Sequence, residues 1–265
     1  MALPGETPPG PALRAPLWWR DLAGAWVFYS VLPAWPWVRP RFERIARFAP
    51  WLGLVLGGIL ALAWLLGAGR LPRPALVALV LALGLLLSGG LHMDGAMDTA
   101  DGLAAGERYL EAMADSRVGA SGAQALALLL LLRGAALVIL AAAVPPLAVA
   151  LALVWTAFWA RVAPLLAVAW FPYLREREAG ATAGFHRRHW RGLGHEAAPA
   201  LLAAAALVVG SLLLQWPLNG LLAAVPALLV PLWLGRRLGG HSGDSYGACV
   251  EWSEALGLLL IALFS

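Results

Sequence analysis

Apolar residues run through this chain in long blocks, with polar islands between them. The blocks cover residues 48–68, 75–91, 123–144, 147–171, 197–216, 220–235 and 248–264. Each approaches the ~20 residues that a helix needs to cross the hydrocarbon of a bilayer. None alternates polar with apolar, as the strands of a membrane barrel would, so the blocks predict helices whose backbone groups pair internally. Residues 18–35 form a shorter apolar stretch, broken by Arg20 and Asp21, that suits an interfacial helix as well as a span. The expected fold is all-α: a polytopic membrane bundle of about seven helices, or eight with the first segment. Residues 1–17 are Pro-rich, lack the apolar core of a signal peptide and are expected to be a disordered leader. Residues 18–265 then make one transmembrane domain.

Composition agrees. The 265 residues are 61% apolar and 13% charged, against ~25% charged in soluble domains. The single cysteine, Cys249, excludes an intrachain disulfide and a Cys-built metal site, and is read as a small apolar filler. All 19 basic residues are Arg, scattered through loops, which argues against a nucleic-acid partner and for membrane lipid as the surroundings. A homo-oligomer is left open. If every block crosses, the segments 36–48, 92–120, 172–196 and 236–247 share one face and hold thirteen Arg. The other face holds Arg14, Arg20, Arg70 and Arg73, while Arg133 and Arg161 lie within blocks. The positive-inside rule puts the Arg-rich face in the cytoplasm, as expected for a cell inner membrane. If the first segment does not cross, Arg14 and Arg20 join that face.

That face also carries the acids. Residues 89–122 hold Asp94, Asp98, Asp101 and Asp115. Asp94, Asp98 and Asp101 stand at i, i+4 and i+7, within an arc of about 60° on one helix face. Three like charges on one face repel, and a hard divalent cation, Mg²⁺ or alternatively Mn²⁺, removes the repulsion while leaving room for substrate phosphates. Asp115 is a further ligand or a base, Arg117 suits a phosphate held by two parallel hydrogen bonds, and Ser121 is placed to cap the next span. Residues 239–247, with Arg236 and Arg237 before them, form a Gly-rich segment with hydroxyls and one acid, suited to a phosphate. Residues 172–196 bring His186, Arg187, Arg188, His189, Arg191 and His195, a basic surface for lipid headgroups or a large anion. Arg133 and Arg161 are costly in a span and should face a polar interior, with Glu251 or Glu254 as partner for Arg161.

GGLHMDGAMDTADGL, ADSRVGASG and GGHSGDSYGA together resemble the cobalamin synthase family, the adenosylcobinamide-GDP ribazoletransferases. The resemblance implies a polytopic inner-membrane enzyme that requires Mg²⁺. It implies transfer of the adenosylcobinamide phosphoryl group from adenosylcobinamide-GDP to α-ribazole or its 5′-phosphate, with release of GMP. The positions that match are His92, Asp94, Asp98, Asp101, Asp115, Ser116, Arg117, Gly119, Gly243 and Asp244. Ser242 replaces the family's usual Thr, and the segment Phe28–Pro33 lacks the family's Arg. On this reading Asp94, Asp98, Asp101 and Asp115 hold metal, and Asp101 or Asp115 takes the proton of the attacking hydroxyl. His92, Ser116, Arg117, Gly119, Arg161, Arg237, Ser242, Gly243 and Asp244 contact substrate. Two rival readings are a CDP-alcohol phosphotransferase-like lipid enzyme and a cation transporter. A transporter would place its carboxylates near the membrane midplane.

Overall fold

The computed structural model describes residues 15–175 and 187–265. Among these the regular elements are helices, joined by one isolated bridge between Tyr173 and His241. The first is α1 (Leu17–Tyr29). A 3-10 turn at Ile45–Phe48 then leads into α2 (Ala49–Gly67). Next come α3 (Arg73–Ser88), α4 (Leu91–Ala104) and short α5 (Tyr109–Ala114). The long α6 (Ala120–Ala143) and α7 (Pro146–Trp170) follow. The chain closes with α8 (Leu193–Leu213), α9 (Ala224–Leu238) and α10 (Gly243–Leu263).

Six of these helices, counting the turns that lead into α2 and α9, are long and apolar enough to cross a membrane. They fall on six of the seven expected blocks, and α3 falls on the seventh. This is a multi-pass membrane architecture. The expected polar loop 92–120 is instead largely helical. Gly89 and Gly90 take φ of 62° and 72°, a left-handed pair that ends α3 and turns α4 away at 92°. So α4 runs across one end of the bundle and not through it.

The same end, called here the site end, gathers the start of α2, α6 and α10 and the finish of α3, α7 and α9. The first segment lies across it too. Arg41 N–H donates to the Arg20 carbonyl (2.9 Å) and Val31 N–H to the Leu87 carbonyl (3.0 Å), so both ends of α1 are tied at one level. With 13 residues α1 is about 20 Å long, short of the ~30 Å core of a bilayer. Trp19 packs on Trp35 and Trp26 on Trp35, each at 5.2 Å, an aromatic cluster of the kind that sits at a membrane surface. Of the expected leader, residues 1–14 lie outside the described residues.

The buried charges are paired. Arg133 of α6 meets Glu251 of α10 at 2.7 Å, and Arg161 of α7 meets Glu254 of α10 at 3.1 Å. Glu254 is therefore the partner of Arg161, and Glu251 serves Arg133. In the basic segment, Arg187 donates to the carbonyls of Val168 and Phe171, closing the last turn of α7. Arg44 holds the buried Glu196 at 2.6 Å. His186 lies outside the described residues.

Removing one member of a buried pair strands the other. Glu251→Ala should cost about 3–5 kcal/mol, whereas the double variant Arg133→Met/Glu251→Met should recover most of it. Thermal unfolding in detergent checks this, with equal losses in the two variants as the contrary result.

Candidate active site

Two short segments build the site: α4 and the N-terminus of α10. Their backbones touch. A Cβ on Gly95 would lie 2.6 Å from the Asp244 carbonyl oxygen, and one on Gly247 would lie 2.9 Å from that of His92. Only glycine permits this approach. It sets the acidic face of α4 beside the first turn of α10. Ser242 caps α10, accepting from Ser245 N–H in a capping box, and Asp244 stands in that first turn. Ser242 is fully buried, so its hydroxyl shapes the helix start.

The three aspartates of α4 differ in role. Neither Asp94 nor Asp98 takes a hydrogen bond or ion pair from a described residue. Burial pushes the Asp98 carboxyl up to about 6, with the charges of Asp94, Asp244 and Asp101 adding to the rise. Asp101 is engaged. Its two oxygens accept from Gly119 N–H and Gly122 N–H, both at 2.8 Å. It thus caps α6, the task expected of Ser121, and a Cβ on either glycine would collide with its carboxylate.

Asp115 stands apart from this group. It is clamped by Arg117, whose Nη2 lies 2.6 Å from it, and that bond draws its carboxyl down to about 2. The Arg117 side chain is 87% exposed, and Ser116 beside it is exposed too. Arg237 is exposed in the last turn of α9, and Gly243 opens α10. Arg175, which sequence reasoning missed, lies 3.6 Å from Asp244. Only its place in a basic loop pointed to it.

His92, Arg161, Asp94 and Asp244 do come together, around a cavity of ≈ 340 Å³ at the site end. Burial drives the His92 imidazole down to about 3, with Arg161 and Arg133 adding to the shift, so it is neutral at pH 7. Its ring stacks on Tyr29 of α1 at 5.8 Å. Phe28 and Tyr29 form a wall of the cavity, so the segment that lacks the family's Arg still borders the site.

Among the described residues no three His, Cys, Asp or Glu side chains stand ready to hold one ion. Two unpartnered carboxylates with two more in electrostatic reach nevertheless fit one kind of cation. Mg²⁺ is often bound through one or two carboxylates, with waters and substrate phosphates completing its octahedron.

Carboxylates gathered at one end of a polytopic bundle, beside a cavity that Arg161 lines and with Arg175 near Asp244, define a membrane-embedded enzyme. The aspartates of α4 lie at the end of the bundle and not midway along its spans, where a transporter would carry its carboxylates. The chain belongs to the cobalamin-5-phosphate synthase family, whose profile matches residues 21–262. It is 58% identical over 262 residues to the adenosylcobinamide-GDP ribazoletransferase of Prochlorococcus marinus strain MIT 9313, covering 95% of this chain and 98% of that one. It is 43% identical to the protein of that name from Thermosynechococcus vestitus, covering 92% and 96%. The Synechocystis relative of that name is 39% identical, covering 93% and 96%. No solved structure matches the chain. The family expected from the motifs is thus the family found, and the enzyme is one of cobalamin synthesis.

The two kinds of aspartate should separate on mutation. Asp101→Ala removes a helix cap and should cost about 1–2 kcal/mol, lowering the melting temperature. Asp94→Ala should leave the melting temperature unchanged while abolishing turnover. Equal thermal losses in both variants would contradict the assignment.

Proposed function

We propose that the chain joins adenosylcobinamide-GDP to α-ribazole, or its 5′-phosphate, where α4 crosses the start of α10. The observation that carries the reading is the pair Asp94 and Asp98, unpartnered on one face of α4 and beside Asp244. Asp94 and Asp98 would hold Mg²⁺, or Mn²⁺ in its place. A cation held there would offset charge on the pyrophosphate and on departing GMP.

The residues then divide the work. A ribose hydroxyl of the acceptor attacks the phosphorus on the corrinoid side of the pyrophosphate. A new P–O bond forms, the P–O bond to GMP breaks, and the hydroxyl proton passes to a carboxylate. Asp101 is our choice as acceptor, since it shares the face of Asp94 and Asp98 and its orientation is fixed by two N–H groups. Asp115 is held by Arg117, which draws its carboxyl down and leaves it a weak base. The exposed Arg117 can exchange Asp115 for a phosphate, which gives the pair a role in gripping the donor. Arg237 and the N-terminus of α10, which opens at Gly243, add positive potential near the site.

The site end is assigned to the cytoplasm of an inner membrane. With α1 lying across it, fifteen of the nineteen Arg belong by sequence position to segments at that end. Arg70 and Arg73 alone belong to the other, the asymmetry the positive-inside rule reads. Lipid then surrounds the six long helices and α3.

Purified protein given adenosylcobinamide-GDP and α-ribazole should release GMP only with Mg²⁺ or Mn²⁺ present. Release unaffected by a chelator would sink the metal role. Protons compete for Asp98, so the Mg²⁺ needed for half-maximal rate should climb as pH falls below about 6. Without cation, unfolded Asp98 ionises near 3.8 while the folded group holds its proton to about 6. Stability should therefore fall as pH rises through that window, and added Mg²⁺ should reverse the loss. A melting temperature flat across it would contradict the coupling.

A further inference from the structure

We propose that the ≈ 340 Å³ cavity between α1, α2, α4, α7 and α10 seats the base of the acceptor nucleoside, an uncharged bicyclic aromatic ring. The proposal rests on the transfer reading above and says which of the two substrates this cavity takes.

Size is the first argument. Small-molecule sites span about 300–1,000 Å³, so this cavity accepts a nucleoside. A corrin macrocycle with its side chains is several times too large. Chemistry is the second. Its apolar lining includes Phe28, Ala49, Pro164 and Val168. Its polar lining includes His92, Arg161 and Tyr246, and each of these has a buried polar atom with no hydrogen-bond partner: His92 Nδ1, Arg161 Nε and Tyr246 Oη. Buried polar atoms are almost always paired. Three such atoms lie within the wall of one cavity, where a ligand acceptor would give them a partner once the side chains turn toward it. A benzimidazole-type ring has both halves of that pattern, an apolar flank and a ring nitrogen that accepts a hydrogen bond. The stacked pair of Tyr29 on His92 adds a flat aromatic surface beside it.

Charge is the third argument. Arg161 is already neutralised by Glu254, while Asp94 and Asp244 stand at the cavity. Beyond Asp94, where the proposed cation would meet the pyrophosphate, the described lining offers a phosphate no cation but Arg161, which Glu254 already engages. The neutral base suits the interior, and its ribose then extends toward Asp94, where the reading above puts the pyrophosphate.

Two variants test this from opposite directions. Ala49→Phe fills the apolar side, and Tyr29→Ala removes the aromatic surface. Each should weaken α-ribazole binding to the full-length protein in nanodiscs by about tenfold, measured calorimetrically without donor. Each should raise KM for α-ribazole in step while KM for adenosylcobinamide-GDP stays within about twofold. That unchanged donor constant also shows the variant to be folded. Should Ala49→Phe fail to fold, Tyr29→Ala decides alone. A raised donor KM with unchanged α-ribazole binding would overturn the assignment, as would variants that bind α-ribazole like wild type. If wild-type protein released no GMP at all, the transfer reading itself would fall. Turnover by wild type with variants indifferent to the nucleoside would remove only the cavity's role.

Discussion

The site depends on one contact, the backbone of α4 lying against the Asp244 carbonyl at Gly95. A side chain at residue 95 would push the helices apart and carry the aspartates of α4 away from the first turn of α10. The contact in turn needs α4 to run at 92° to α3, which the left-handed pair Gly89–Gly90 provides. Lipid sets the larger constraint. Unpaired charge is costly among the spans, so carboxylates meant for chemistry must collect where a bundle ends. A helix laid across that end displays an acidic face without burying it in hydrocarbon.

The charges that do enter the interior serve a different purpose. Arg133–Glu251 and Arg161–Glu254 join α6 and α7 to α10, one helical turn apart. They fix the middle of α10 against two long spans, and α10 carries Asp244 in its first turn. Arg161 also lines the cavity. The pair Arg161–Glu254 thus links the packed interior to the wall on which the acceptor is proposed to rest.

Much of this was legible in the sequence, for physical reasons. Long apolar blocks can only be helices in lipid, so the seven blocks fell where helices are found, with ends shifted by a few residues. The i, i+4, i+7 spacing placed Asp94, Asp98 and Asp101 on one helix face. Other features depend on tertiary approach, and spacing does not encode it. Nothing in the order of residues says that Asp101 spends both oxygens on Gly119 and Gly122, or that α1 folds back so that Tyr29 meets His92. Asp115 and Arg117 read as site residues by motif, yet they close on each other at the surface. Two residues apart, with a guanidinium long enough to bend back, they find a local partner before a distant one.

The free carboxylates of α4 are proposed to hold a divalent cation at the end of the bundle. Electron paramagnetic resonance of Mn²⁺ added to the detergent-solubilised protein tests it without substrate or turnover. Wild-type protein should remove free Mn²⁺ signal in a saturable way, Mg²⁺ should restore it, and Asp94→Ala/Asp98→Ala should lose the effect while Asp115→Ala keeps it. Undiminished Mn²⁺ binding by the double variant would mean that these carboxylates do not hold the cation.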